Sequence, residues 1–204
     1  MLKHSLNFIF VLLFSVNLLN AQPPSPELAQ VDSLFKIPVF LHAEPNLAYT
    51  EVGRVKAPMR ALDVSLNNDI NLHNLNQELV WRAKQGMKFG KYEAFDAVIL
   101  QPDSFEGILI RYQDETEQLA VVNQVSDASI YIYAQPQAEY EVIGSMWTMI
   151  GEVSAQVSFE ERLHKIVNRA EKKVAEGKLE AFDAIVFDPV RLKCEFIKYT
   201  GQES

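Results

Sequence analysis

Hydrophobic residues recur at helical spacing in two stretches of the chain. In the second stretch the apolar positions are three or four residues apart, and they are Phe159, Leu163, Ile166, Val167, Ala170 and Val174. This spacing places them on one face of a helix. Ser158 with Glu161 has the form of a capping box, and Gly177 suits a left-handed C-terminal residue. The first stretch follows the same scheme from Asn71 to Gly90, so we predict two amphipathic helices, each lying on a sheet.

Runs of β-branched and aromatic residues predict strands around both helices. The runs before the helices are 37–41, 49–55, 130–133 and 140–146, and those after them are 97–100, 108–112, 184–187 and 196–199. Further strand-like segments are 61–66, 119–122 and 153–157, and a polar turn is predicted at 114–117. The continuously apolar runs 97–100 and 184–187 are typical of central strands, and hairpins are predicted across Pro102 and Pro189. Each unit is predicted to be ββ(β)αββ, and the fold class α+β.

The two units are similar in sequence as well as in pattern. Residues 90–97 return as 177–184 with seven of eight positions identical, at an offset of 87. Upstream the offset is 91, and the residues that recur are Ala43, Pro45, Tyr49 and Gly53. A period near 90 residues suits a tandem pair of small units rather than a solenoid. We therefore predict a tandem duplication, with a linker at 22–35, repeat 1 at 36–125 and repeat 2 at 126–204.

The first 21 residues have the layout of a secretory signal peptide. Lys3 is followed by the uninterrupted apolar run 8–14 and, before Gln22, by the small residue Ala21. The run is shorter than the ~20 residues that span a bilayer. We expect cleavage after Ala21, a secreted or periplasmic location, and no membrane span in the mature chain.

Composition and charge exclude several classes of protein. The chain is 48% hydrophobic and 23% charged, which is typical of a globular protein. Its formal charge of −8 argues against nucleic acid as a partner, since phosphate binding needs a basic surface. The single cysteine, Cys194, excludes an intramolecular disulfide, and its position in an alternating run predicts a buried structural thiol.

Each unit resembles a group of bacterial envelope domains. The segments that carry the resemblance are Pro-x-x-x-Tyr-x-x-[Val/Ile]-Gly, a helix, and Phe-Asp-Ala followed by two β-branched residues. In these segments the chain resembles the YbjQ-like family and the Rcs stress-sensor lipoprotein, over roughly 37–112 and 130–199. The chain lacks the lipidation and disulfide cysteines of the sensor lipoprotein, and it has no cysteine or histidine cluster to match the heavy-metal label of the YbjQ-like family. The resemblance implies an envelope fold and compartment, and little about activity.

Two matched carboxylate pairs are the candidates for catalytic chemistry. They are Glu93 with Asp96 and Glu180 with Asp183. Identical copies favour a structural role, in which each aspartate braces its turn through backbone N–H groups, because a general acid and base need different environments. The alternatives are an interdomain acidic site of a hydrolase-type enzyme, or four carboxylates that converge on Ca²⁺. No histidine cluster, nucleophile motif or glycine-rich phosphate loop is present, and no cofactor is predicted.

An exposed aromatic residue provides a binding candidate. Trp81 lies beside Arg82 on the first helix, and this pair of residue types is common in binding hot spots. We predict an exported, non-enzymatic protein that binds a protein partner or an envelope component, in a stress-sensing or surface role. The alternatives are the hydrolase-type enzyme and a binder of a divalent metal or small ligand.

Overall fold

The computed structural model describes residues 28–58, 70–113, 119–148, 152–153 and 157–200. The predicted signal peptide, the predicted strand at 61–66 and the predicted turn at 114–117 lie outside these residues. Below, residues 28–113 are called the first half and residues 119–200 the second half.

Two 17-residue helices form where the periodicity predicts them. Helix α1 spans Leu72–Lys88 and helix α2 spans Phe159–Ala175. The Asn71 side chain accepts a hydrogen bond from the backbone N–H of Asn74, and Ser158 forms the predicted capping box. Gly90 and Gly177, with φ of 73° and 67°, lie just past the helix ends in the left-handed region. The predicted helices and their caps are confirmed.

The described part of the first half contains eight strands. Before α1 these are β1 (Leu28–Val31), β2 (Ser33–Leu34), β3 (Ile37–Phe40), β4 (Ala43–Pro45), β5 (Tyr49–Lys56) and β6 (Ile70–Asn71), and after it β7 (Ala97–Gln101) and β8 (Glu106–Tyr112). A short 3₁₀ turn, Pro102–Ser104, connects the last two strands.

The second half contains strands in the same order. Before α2 these are β9 (Leu119–Val122), β10 (Gln124–Val125), β11 (Ala128–Ile132), β12 (Ala134–Pro136), β13 (Tyr140–Trp147) and β14 (Glu152–Val153), and after it β15 (Ala184–Asp188) and β16 (Lys193–Tyr199). Five of the strands before α2 begin 91 residues after their counterparts, and α2, β15 and β16 begin 87 residues after theirs.

Each half forms one five-stranded sheet. The strand orders are β2-β3-β7-β8-β5 and β10-β11-β15-β16-β13. The only parallel pairs in these sheets are β3 with β7 and β11 with β15, and the other neighbours are antiparallel. The predicted hairpins β7–β8 and β15–β16 are both present. The α+β class is confirmed.

A third sheet joins the two halves. Its order is β12-β1-β9-β4, so strands of the two halves alternate in it. Ala29 lies opposite Ala120 at its centre, and the flanking pairs β1–β12 and β9–β4 have matching registers. The predicted linker 22–35 therefore holds two strands in its described part. Strand β1 has only four residues of mixed polarity, and a pattern this short does not predict a strand. Residues 28–31 form a strand because they pair with strands of the other half.

Two apolar layers lie on opposite faces of the five-stranded sheets. Residues along each strand alternate between these two layers. Val39 faces the layer that contains the helices, and the adjacent Phe40 faces the layer between the five-stranded sheets and the joining sheet. Cys194 is buried on the helix side, and burial raises the pKa of its thiol to about 12. The predicted structural role of this cysteine is confirmed. Because both layers are shared, the halves pack as one interlocked body.

Candidate functional site

The two aspartates of the predicted carboxylate pairs hold the ends of hairpins. The Asp96 carboxylate accepts a hydrogen bond from the backbone N–H of Tyr112 at 2.9 Å, and Asp183 accepts one from Tyr199 at 2.8 Å. Each aspartate thereby fixes the last strand of its half against the strand that precedes it. The structural interpretation of these two residues is confirmed.

The two glutamates lie at the surface. Glu93 accepts a hydrogen bond from the guanidinium of Arg111 at 3.2 Å, and Glu180 is exposed. All four carboxylates are among the described residues, and within that part of the chain no group of three or more His, Cys, Asp or Glu side chains is placed to hold a metal ion. The convergence of the four carboxylates on Ca²⁺ is therefore wrong, because each aspartate is committed to a backbone N–H within its own half.

An aromatic and cationic surface lies on the C-terminal part of α1. Trp81 is 45% exposed and Phe89, which caps the helix, is 78% exposed. Lys84 and Lys88 follow Trp81 at helical spacing, so these three side chains share one face. The Lys84 ammonium donates a hydrogen bond to the backbone carbonyl of Phe35 at 3.0 Å. We call Trp81, Lys84, Lys88 and Phe89 the α1 surface.

The second candidate from the sequence, Arg82, borders this surface. Its guanidinium forms an ion pair with Glu78, one turn earlier on the same helix. Arg82 is therefore neutralised within α1, whereas the ammonium groups of Lys84 and Lys88 have no acidic partner among the described residues.

The matched positions of α2 have a different chemistry. At an offset of 87, the residues that correspond to the α1 surface are Asn168, Glu171, Ala175 and Glu176. Glu176 forms ion pairs with Lys172 and Lys178, so this end of α2 is a polar surface with balanced charge. The aromatic and cationic surface is thus specific to the first half.

The outer margins of the two five-stranded sheets also differ. In the first half, the margin strand β5 carries Glu51, Arg54 and Lys56. Arg54 donates two hydrogen bonds to Glu51, at 2.7 and 2.9 Å, and both Arg54 and Lys56 pair with Glu106 of β8. Hydrogen bonding from these cations lowers the pKa values of both glutamates. Charged side chains along an edge strand discourage other strands from pairing with it.

In the second half the margin strand β13 is apolar at the matched positions. At an offset of 91, Val142 corresponds to Glu51 and Trp147 to Lys56. The small polar residue Ser145 corresponds to Arg54. Val142 is 51% exposed and Trp147 is 72% exposed. Among the described strands, β13 pairs only with β16, so its other side is an open edge.

A cationic pocket lies next to the end of β13, between this strand and α2. Its volume is ≈ 220 Å³, and it is lined by Met146, Thr148, Val157, Arg162, Lys165, Ile166 and Arg169. Three of these residues are basic and none is acidic. The sequence pattern does not predict this pocket, because basic residues on the polar face of an amphipathic helix, here Arg162, Lys165 and Arg169, are ordinarily exposed to solvent. Their spacing of three and four residues was the available signal.

Two histidines of the first half contact residues of the second half. The two contacts are related by the repeat, because His42 corresponds to Tyr133 and His73 corresponds to Glu160. Nδ1 of His73 in the first half lies 2.8 Å from the hydroxyl of Tyr133, and His42 lies 3.6 Å from the carboxylate of Glu160. Burial lowers the pKa values of both histidines, and the neighbouring Glu160 only partly opposes this effect at His42. These contacts link the two halves.

Comparisons of the chain with protein-family models, with curated proteins and with solved structures gave no match. The resemblance to YbjQ-like domains stays a prediction. Within the described part of the chain, neither helix has the length and apolar character needed to cross a bilayer.

Proposed function

We propose that this is an exported, non-enzymatic protein that binds an anionic component of the cell envelope through the α1 surface. The observation that carries the proposal is the pairing of exposed Trp81 and Phe89 with Lys84 and Lys88, in a protein whose formal charge is −8. Export follows from the signal-like pattern of residues 1–21.

The difference between the halves supports a binding role. We propose that the chain is a tandem duplication, because sequence, helix length and strand order recur at fixed offsets. Left-handed backbone also recurs at three matched pairs of non-glycine positions, which are Phe35 with Ser126, His42 with Tyr133, and Phe105 with Leu192. Such backbone is uncommon in residues other than glycine, so its recurrence favours a common origin. Exposed residues that differ between otherwise matched helices are then the places where a specific function is expected.

The chemistry of the α1 surface fits an anionic bilayer surface best. Tryptophan and phenylalanine insert at the boundary between lipid headgroups and acyl chains, and lysines attract the anionic headgroups. Each lysine near such a surface contributes ~1 kcal/mol. The two lysines and two aromatic residues are contiguous, whereas the remaining surface of the protein is acidic overall. We therefore take anionic phospholipid headgroups as the binding partner.

Vesicle binding by the purified protein tests this proposal. We expect the protein to sediment with vesicles that contain phosphatidylglycerol, and to sediment much less with vesicles of phosphatidylcholine alone. The double variant Lys84→Glu/Lys88→Glu should weaken binding by more than about tenfold, since it removes two attractive charges and adds two repulsive ones. Trp81→Ser/Phe89→Ser should weaken vesicle binding at both low and high salt. At high salt the electrostatic attraction is screened, so the remaining binding depends on the aromatic side chains.

The matched control lies on α2. Lys172→Glu/Lys173→Glu changes the total charge by the same amount as the α1 double variant, and we expect it to retain most of the vesicle binding. If both lysine variants lose binding equally, the attraction is one of net charge and the α1 surface is not the site. If anionic vesicles are not bound but the α1 surface binds an envelope protein, the choice of lipid is wrong.

A further inference from the structure

We infer that strand β13 pairs in antiparallel fashion with the β13 strand of a second copy of the chain, which forms a twofold dimer. This surface lies in the second half and is independent of the α1 surface. The starting observation is the open edge of β13 with the exposed apolar side chains Val142 and Trp147. A strand of eight residues with such an edge is a template for another strand.

The backbone of β13 is suited to a symmetric pairing. The N–H of Thr148 donates to the carbonyl of Leu192, and the N–H of Thr200 donates to the carbonyl of Glu139, so alternate residues face β16. A register irregularity follows Val142 and shifts the alternation by one residue. The residues whose N–H and C=O groups then face the open edge are Tyr140, Val142, Ser145 and Trp147.

These four residues are arranged so that an antiparallel copy of the same strand can pair with them. When two β13 strands run antiparallel in full overlap, Tyr140 of each copy lies opposite Trp147 of the other, and Val142 lies opposite Ser145. All four are on the sheet face away from the helices, so the aromatic and apolar side chains meet on that face. The twofold axis passes next to Gly144, at the centre of the strand.

Charge complementarity favours a second copy as the occupant. In the same register, Glu141 lies opposite Met146 of the other copy, and both are on the helix side of the sheet. Met146 lines the cationic pocket, to which Lys165 and Arg169 contribute. The start of the strand is therefore acidic and its end is next to basic side chains, so a twofold places opposite charges together at both ends of the interface.

The charged edge strand of the first half favours a dimer over a longer assembly. The margin strand β5 is also an edge strand, but it carries the ion-paired residues Glu51, Arg54 and Lys56, and such charges disfavour pairing with the strand of a third copy. Pairing of β13 with itself uses the same edge in both copies, which gives a closed twofold pair rather than a fibre. Two sheets of five strands would then form a continuous sheet of ten.

Sedimentation velocity and equilibrium on the purified protein test the inference. We expect a species of twice the mass of one chain, with a dissociation constant that rises with salt. Val142→Lys/Trp147→Lys should give single chains, because it removes the apolar side chains that face Ser145 and Tyr140 and places two lysines from each copy on the same face of the paired strands. Both side chains are exposed, so this variant is expected to fold, and circular dichroism checks that it does.

Charge exchange provides the more specific measurement. Glu141→Lys in one preparation and Lys165→Glu/Arg169→Glu in another should each raise the dissociation constant of the homodimer by about tenfold or more. Mixing the two preparations should give a mixed dimer, since opposite charges then face each other at both ends of the interface, whereas each homodimer places like charges at both ends. Thr50→Lys, at the matched position of β5, is the control and should leave the dimer unchanged.

Single chains at every concentration would overturn the inference, and so would a dimer that persists in Val142→Lys/Trp147→Lys. The lipid proposal is tested independently of the dimer, because the residues changed in the α1 variants do not lie in this interface. A dimer that forms without vesicle binding leaves only the proposed function wrong.

Discussion

The two halves share a scaffold and differ in the surfaces that they present. In the first half the helix carries exposed aromatic and basic residues, while the sheet margin is covered by ion pairs. In the second half the helix end is polar with balanced charge, while the sheet margin is apolar and open. Buried positions have to fill the same two layers in both halves, whereas exposed positions are free to diverge. The comparison therefore separates the residues that maintain the fold from those that are candidates for binding.

The largest expected effects test whether the halves are one cooperative unit. Leu79 of α1 and Ile166 of α2 occupy matched positions and are buried. Leu79→Ala and Ile166→Ala should each lower the free energy of unfolding by ~2–5 kcal/mol through cavity formation. Because the joining sheet interlocks the halves, either variant should shift one common transition.

Chemical denaturation followed by tryptophan fluorescence provides the measurement, with Trp81 in the first half and Trp147 in the second. Variants that retain only one tryptophan separate the two signals. Asn168→Ala, at an exposed position of α2, is the control. Two transitions, of which Leu79→Ala shifts only the one reported by Trp81, would show that the halves unfold independently.

A smaller effect should come from a hydrogen bond that only the second half has. The hydroxyls of Tyr131 and Tyr199 lie 2.6 Å apart, whereas the matched pair in the first half is Phe40 and Tyr112. The Tyr112 hydroxyl is buried without a hydrogen-bond partner among the described residues, and burial raises its pKa to about 12. Phe40→Tyr should supply a partner and stabilise the protein by about 1 kcal/mol.

Urea denaturation measures this change, and Tyr131→Phe is the reverse experiment, which should cost a similar amount. A loss of stability in Phe40→Tyr would mean that the first half has no space for the added hydroxyl. In that case the two tyrosine positions are not equivalent in packing.

The smallest expected effect is a pH dependence of the contacts between the halves. Burial lowers the pKa of His42 below the usual value near 6.5, so the folded protein binds this proton less well than the unfolded chain does. Stability should therefore fall as the pH decreases through the unfolded-state pKa towards the lower folded-state pKa. His73 acts in the same direction.

His42→Tyr introduces the residue of the matched position, Tyr133, whose backbone is also left-handed. The slope of the unfolding free energy against pH between neutral and mildly acidic conditions should be shallower in this variant. An unchanged slope would assign the pH dependence to other groups, of which His73 is the first to test.

Much of the fold follows from local pattern. The spacing of apolar residues predicts both helices, Ser158 and Asn71 predict where they begin, and the continuous apolar runs predict the central strands β7 and β15. The structural role of Asp96 and Asp183 is also predictable, because two copies of one motif are poorly suited to different acid and base roles. These features depend on interactions between residues that are close in sequence or that repeat at a fixed spacing.

The candidate surfaces were predicted only in part. Trp81 and Arg82 were recognised from their residue types, but Arg82 is neutralised by Glu78, and Lys84 and Lys88 complete the surface instead. The open margin at Val142 and Trp147 was missed, because a strand pattern does not reveal whether the strand lies inside a sheet or at its edge. The cationic pocket was missed for a related reason, since one of its walls is contributed by β13 and the other by α2.

The sequence by itself determined the α+β class, the two helices with their caps, the hairpins and the buried cysteine, because each depends on periodicity or on neighbouring residues. Only the tertiary structure decided that β1 is a strand, that strands of the two halves alternate in one joining sheet, and that β5 and β13 are edge strands, of which the first carries ion pairs and the second exposes apolar side chains. The pairing of β1 in the joining sheet is between residues 89 to 107 positions apart, and such pairing leaves almost no local signature in the chain.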